Sequence, residues 1–299
     1  MNIISHKYIF LSFSGILVLA SFIMIGVWGL RLGIDFTGGS LLEASFTDAR
    51  PAGEAIRDSV SGLGMGYVGV ELAGERDVFL RLRSVDEQEH QEILHALAAL
   101  GAVREKQFTT IGPTIGRELK NRALLALALA LALIVLYITW AFRQVSRPLS
   151  SWKYGVVAVV VALFHDIIIP TGAFALLGHF AGAEADALFI TALLTILGFS
   201  VHDTIVVFDR TRENLRTLEK SEAFEAIVNR SVHETLARSL FTSLTVLLVL
   251  TAIFFLGGAS TKYFALTLMT GVFFGTYSSI FVASPLLVMW NDFAKKRRG

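Results

Sequence analysis

The chain contains no cysteine. That excludes disulfides, thiol nucleophiles and thiolate metal sites, and it leaves the redox compartment open. Charge is scarce as well. Only 17% of the 299 residues are Asp, Glu, Lys or Arg, where soluble proteins carry about 25%. Nucleotide signatures are missing: neither GxxxxGK[ST] nor a GxGxxG after a strand occurs, so ATP hydrolysis through a recognisable fold is excluded. HETLA at 233–237 is not HExxH, and no metal ion or cofactor is expected. The net charge of +1 identifies no partner, because the charges are segregated along the chain. Nothing in the pattern points to nucleic acid.

Apolar residues are plentiful, at 54%. They gather in runs long enough to cross a bilayer, which takes about 20 helical residues. The runs predict six spans, at 8–30, 122–142, 154–177, 188–208, 240–256 and 263–290. The first has a basic flank at Lys7 and no small-residue cleavage site before Arg31, so it reads as an uncleaved anchor. Lysine and arginine set the orientation. Lys7, Arg143, Arg147, Lys153, Arg210, Arg212, Arg216, Lys220 and residues 295–298 fall on one side, which is therefore cytoplasmic. Both termini are expected there, with residues 31–118 outside and a cytoplasmic loop at about 209–238. Asn229-Arg230-Ser231 fits a glycosylation pattern but falls on the cytoplasmic side and is dismissed.

Residues 31–118 are expected to form a small extracytoplasmic domain. LLEASF (41–46), YVGVEL (67–72), DVFLRLR (77–83) and AVREKQFTT (102–110) read as strands. PAGEAIRDSV (51–60) and a segment from Ser84 to about Leu100 read as helices, the second opened by a Ser84–Glu87 capping box. The order β-α-β-β-α-β is that of a ferredoxin-like α+β domain.

Two carboxylates lie well inside spans, Asp166 and Asp203. A charge at the bilayer centre costs at least about 2.5 kcal/mol. Such groups mark proton relays, ion paths or structural pairs. At 100° per residue Asp203 shares a face with Ile196, Phe199, Ser200, Val206 and Val207, while His202 points about 100° away. A carboxyl removed from water holds a proton more readily than a surface one. Arg238, at the start of span 5, is the expected partner, on a polar stripe with Thr242 and Thr245 directed into the bundle. An arginine merely anchoring the span end is the plainer alternative. Asp166 stands beside His165 and four residues before Pro170, which removes a helix donor and predicts a local break. His165, Asp166 and His202 are proton-relay or structural candidates. Gly271 and Gly275 form a GxxxG for close helix packing. SEAFEAIVNRSVHETLA (221–237) is amphipathic and is expected to lie along the interface.

Three segments together resemble the SecF family, the smaller membrane subunits of the bacterial SecD–SecF protein-export factor. They are GIDFTGGSLLEASF near the start, IGPTIGREL before span 2, and HDTIVVFDRTREN followed by NRSVHETLARS. The resemblance covers essentially the whole chain. It implies half of an RND-type bundle, completed by SecD, working beside the SecYEG channel. The pair would use the proton-motive force, with protons as coupling ion, to assist preprotein export after the ATP-driven stage, with no enzymatic activity. The family's proton-path aspartate and arginine match Asp203 and Arg238. Its signature positions match Asp35, Phe36, Thr37, Gly38 and Gly39 and, after span 4, Asp209, Arg210, Arg212, Glu213 and Asn214. The glycines suggest a tight turn. His202 stands where the family commonly has Asn. The alternatives are a passive scaffold subunit and an RND-type exporter of lipids or small molecules. An intramembrane aspartyl protease is more distant, because no GxGD occurs.

Overall fold

A computed structural model describes residues 3–143, 157–218 and 221–296. The start of the third expected span and Arg147, Lys153, Lys220, Arg297 and Arg298 lie outside the described residues. Two compact units are present: Met1–Leu30, Leu125–Ala183 and Leu188–Gly299 in one, Arg31–Leu124 with Glu184–Ala187 in the other.

The smaller unit holds β1 (Gly39–Phe46), α3 (Gly53–Ser61), β2 (Gly69–Ala73), β3 (Asp77–Leu82), α4 (Glu87–Ala98) and β4 (Val103–Ile111). It opens with the single turn α2 (Ile34–Thr37), which follows the first span α1 (Lys7–Trp28). The sheet order is β2-β3-β1-β4, with every pairing antiparallel. This is the split βαβ arrangement, in which β1 lies between the two later strands. Alternation drives it: Leu42, Ala44 and Phe46 of β1 and Val78, Leu80 and Leu82 of β3 turn to one face and are buried beneath Ile56, Val60, Ile93 and Leu97 of the helices.

Two details differ from expectation. The α4 capping box is Asp86 with Glu89, not Ser84 with Glu87: Asp86 Oδ1 accepts from the Glu89 N–H at 2.9 Å. Ser84 is taken up instead by a 3.2 Å hydroxyl contact with Thr110, and buried Val85 is held by the Ser40 hydroxyl at 3.1 Å. The chain therefore enters the helix two residues later. β2 starts at Gly69 because Gly64 and Gly66 adopt φ of +74° and +76°, which breaks the extended run.

The DFTGG segment makes the tight turn. Gly38 has φ +74°, and a Cβ there would come 2.7 Å from Pro113 Cα. A Cβ on Gly116 would come 2.7 Å from the Gly38 nitrogen. Backbone therefore meets backbone where only glycine fits. Asp35 has its own task. Its Oδ2 accepts the N–H of Ala187 at 2.8 Å, while Gly33 and Arg31 bond the backbone of Ala185 at 2.8 and 2.7 Å. Arg81 closes on Glu184 at 2.7 Å in the same place. Burial pushes the Glu184 carboxyl up, against the pull of Arg81.

The larger unit is helical. Six helices are long and apolar enough to cross a membrane: Ile4–Trp28, Pro113–Ala141, Val161–Ala181, Ala187–Thr217, Phe224–Leu256 and Thr261–Lys296. The remaining elements are α5 (Pro113–Ala141), α6 (Phe164–Ala181), α7 (Ala187–Leu218), α8 (Phe224–Leu256), α9 (Ala259–Ser278) and α10 (Ser284–Lys296). A π-helical turn, Val157–Leu163, precedes α6, and another, Ser279–Ala283, joins α9 to α10. Within this unit the third, fourth and sixth spans are the most buried. The first, second and fifth leave long apolar faces exposed, among them Leu125, Leu129 and Leu133.

Three further expectations are corrected. Residues 209–238 are not a loop: α7 runs on to Leu218 and α8 begins at Phe224. Ion pairs at helical spacing, Arg212–Asp209 and Arg210–Glu213, fit this continuation. The amphipathic stretch 221–237 is no separate interfacial helix, because from Phe224 it is continuous with span 5 and buries Ile227, Val228 and Val232. Pro170 does not break its helix either. α6 runs unbroken through it, and the irregularity is the π turn one step earlier.

Two outcomes are expected of the small unit. Asp86→Ala should cost about 0.5–2 kcal/mol by removing the cap, read as faster amide exchange confined to α4 and its neighbours. The Lys106 ammonium holds the Asp77 carboxyl below its usual range, and Arg83 does the same for Glu89. The folded pKa values are lowered, so this stabilisation is present above the ordinary carboxylate pKa of about 4 and is lost as pH falls through the lowered values. Exchange protection in the sheet should drop on acidification to about pH 2, and Asp77→Asn should blunt that drop.

Candidate functional site: a buried polar layer between helices

Helix α7 carries Asp203 within a long apolar run. Spacings of three and four place Ser200, Asp203, Thr204 and Val207 on one face, and all four are buried. The facing helix is α9. Close approach of the two is set by its glycines. A Cβ on Gly271 would sit 2.1 Å from Ile196 Cδ1, and one on Gly275 would sit 3.1 Å from Ser200 Cβ. Small residues let helix backbones approach without side chains between them. The approach brings hydroxyls within reach of the acids.

Asp203, 2% exposed, accepts a hydrogen bond from Thr276 Oγ1 at 3.1 Å. Thr276 in turn shares a short hydroxyl contact with Ser243 of α8. One turn along, Thr204 Oγ1 and Ser279 Oγ lie 2.8 Å apart. These contacts offset part of the cost of burying a carboxyl.

Asp166 lies on α6 against the same pair of helices, with no exposed surface. Its Oδ1 is 2.8 Å from His165 Nδ1. Its Oδ2 accepts from Ser278 Oγ at 2.8 Å and from the Ser200 hydroxyl. The rings of Tyr277 and Phe274 flank His165.

The expected Asp203–Arg238 pair is not made in this conformation. Asp203 is bonded to Thr276, and Arg238 is exposed. Arg238 lines an open cleft of ≈ 330 Å³ with Asp209, Arg210, Glu213 and Glu234. The stripe of Arg238, Thr242 and Thr245 is likewise not directed into the bundle. Thr242 and Thr245 bond carbonyls of their own helix, and the inward face of α8 carries Ser231, Thr235, Ser239 and Ser243. Both stripes have helical spacing, so the pattern alone could not choose between them. His202 is exposed, on a different side of α7 from Asp203.

The charged end of α7 is tied to α8. Arg210 bonds Glu213 and Glu234, each at 2.6 Å. Buried Asn214 donates to Ser231 Oγ at 3.0 Å and to Glu234 at 2.8 Å. The hydroxyls Ser200, Ser243, Thr276 and Ser278 were not singled out as partners of the acids. The signal available was their spacing of three from Asp203 on α7 and near Gly275 on α9.

The comparisons with known proteins agree with one another. Residues 92–292 match the family described as protein export membrane protein SecD/SecF, C-terminal, and residues 23–49 match the SecD/SecF GG motif. A protein translocase subunit SecF of Thermobaculum terrenum is 42% identical over 98% of this chain and 94% of its own length. One from Anaerolinea thermophila is 38% identical, covering 98% of this chain and 94% of its own. Among solved structures, SecDF from Thermus thermophilus, described as a translocon-associated membrane protein, is similar with a TM-score of 0.83 at 33% identity over 98% of this chain. The chain spans 39% of the length of that SecDF chain.

The helix approach can be tested directly. Gly271→Val should destabilise the bundle by about 1–3 kcal/mol through overpacking against Ile196. Gly198→Ala, where a Cβ meets nothing within 4 Å, should leave the thermal midpoint unchanged or slightly raised. Thermal unfolding of the two purified variants in detergent would measure this difference.

Proposed function

The chain belongs to the SecF family, and on that premise we propose that it is the subunit of a SecD–SecF pair in which Asp203 carries the protons that drive preprotein export. In this reading the protein spans the membrane six times, with both termini in the cytoplasm and residues 31–118 outside. It completes a bundle with SecD and works beside the SecYEG channel after the ATP-driven stage. The similar SecDF of Thermus is a translocon-associated membrane protein, which supports that location.

The observation that carries the reading is the setting of Asp203. It is a buried carboxyl whose described partner is a neutral hydroxyl, in a helix whose next turns are dense with charge. A carboxyl bonded only to hydroxyls can accept a proton without breaking an ion pair. Arg238 stands apart, exposed beside the acidic cleft. Its approach to Asp203 would favour the anion and expel the proton, and its withdrawal would restore the present arrangement. Each proton crossing 100 mV supplies about 2.3 kcal/mol, so a few per cycle suffice to bias a sliding polypeptide. Asp35 and Arg81 bond Ala187 and Glu184 within the smaller unit, and the chain continues from there as the helix that bears Asp203.

Asp203→Asn keeps the shape and a hydrogen-bonding side chain but cannot exchange a proton. In cells it should reduce export of a secreted reporter to the level seen with a proton uncoupler, while this protein and SecD stay at normal membrane levels. Unchanged export in the assembled complex would favour a passive scaffold instead.

A further inference from the structure

We propose that His165 and Asp166 form a second proton-binding site, separate from Asp203, that holds or releases one proton as a unit. The role of that proton in export rests on the reading above, but its binding does not.

Every acceptor on Asp166 is engaged: Oδ1 by His165 Nδ1, Oδ2 by Ser200 and Ser278. His165 Nε2 is buried and has no partner among the described residues. All four residues are buried, His165 at 3% exposure and the others at 0%. The site is saturated except for one basic nitrogen.

Charge bears on the same pair. With an ionised Asp166 and a neutral ring donating from Nδ1, the pair carries one negative charge. The titratable groups on the packed elements do not cancel it. α1 contributes none between Phe10 and Trp28. Tyr277 of α9 is neutral and donates to the Phe10 carbonyl at 3.1 Å. On α7 the nearest are Asp203, one turn beyond Ser200, and exposed His202. Lys262 lies at the far end of α9. Adding one proton makes the pair neutral, either as imidazolium and carboxylate or as neutral ring and acid. In both forms Nε2 bears a hydrogen with no acceptor.

Neither state is fully satisfied. The empty state has an uncompensated buried charge and leaves the Nε2 lone pair without a donor. The loaded state balances the charge but leaves the Nε2 hydrogen without an acceptor. Opposed defects of this kind make a group that can switch. A purely structural knot would have no reason to leave a basic nitrogen open.

Its surroundings fit a moving part. The two π turns, Val157–Leu163 and Ser279–Ala283, lie immediately beside this cluster and pack on each other. π turns inserted in α-helices gather at functional sites. Ser200 also links the two acids along α7, since it bonds Asp166 and lies one turn from Asp203.

The test uses the full SecD–SecF complex in membranes, read by pH-titrated infrared difference spectroscopy. Wild type should show a paired signal, an imidazole band and a carboxyl band changing together. His165→Asn retains a donor toward Asp166 but lacks Nε2. It should lose both bands, and Asp166→Asn should also lose both, because coupled groups titrate as a pair. Asp203→Asn should leave the paired signal in place, which separates this site from the one above. If each variant removes only its own band, or none, the proposal is overturned. If neither variant accumulates, nitrogen NMR of histidine-labelled wild type decides. A buried ring whose protonation changes with pH supports the site, and one that never changes overturns it. In the export assay His165→Asn should remove most of the proton-dependent export, whereas full export with the paired signal gone would remove the site from the coupling path. Loss of export in Asp203→Asn with normal export in His165→Asn would leave the main reading standing and overturn the coupling role of this site.

Discussion

Close approach of α9 to α7 is the constraint on which the polar layer depends. Gly271 and Gly275 remove the side chains that would hold these helices apart. Only then can Thr276 reach Asp203, and Ser278 reach Asp166. Without those hydroxyls Asp203 would lose its described partner and Asp166 one of its three, and a buried polar group without partners is costly. Packing and chemistry therefore rest on the same two residues. A larger side chain at Gly271 would act first on Ile196 and only indirectly on the acids.

Two kinds of surface divide the larger unit. Spans three, four and six enclose the acids, while spans one, two and five expose apolar faces that need lipid or another bundle. The smaller unit uses a different logic. It buries an alternating sheet face under two helices and uses Asp35, Gly33 and Arg81 to hold the short segment 184–187. A motif whose glycines alone suggested a turn thus has a second task in its aspartate, the capping of the chain that leads into α7.

Much of this was legible beforehand because the signals were strong. Runs of about 20 apolar residues admit few readings, and the strand alternation with its glycine breaks gave the β-α-β-β-α-β order. The inward placement of Asp203 followed from the cost of a charge in lipid. What stayed hidden were choices between equal patterns. On α8 the stripe of Arg238, Thr242 and Thr245 and the stripe of Ser231, Thr235, Ser239 and Ser243 have the same periodicity, and only packing selects the second. Ser84 and Asp86 both begin a capping-box sequence pattern, and tertiary contacts from Thr110 and Ser40 decide between them. Pro170 is accommodated within its helix, so the break expected there lies in the preceding π turn instead. The partners of Asp166 come from three different helices, a convergence that no local pattern encodes.

The central claim is that a carboxyl held by hydroxyls in this layer carries protons across the membrane. Proton flux through the purified SecD–SecF complex in liposomes, driven by an imposed potential and followed with an internal pH dye, tests it most directly. The account predicts flux in the wild-type complex that disappears with Asp203→Asn and persists in a control substitution on the exposed face of α5. Equal flux with and without the Asp203 carboxyl would contradict it.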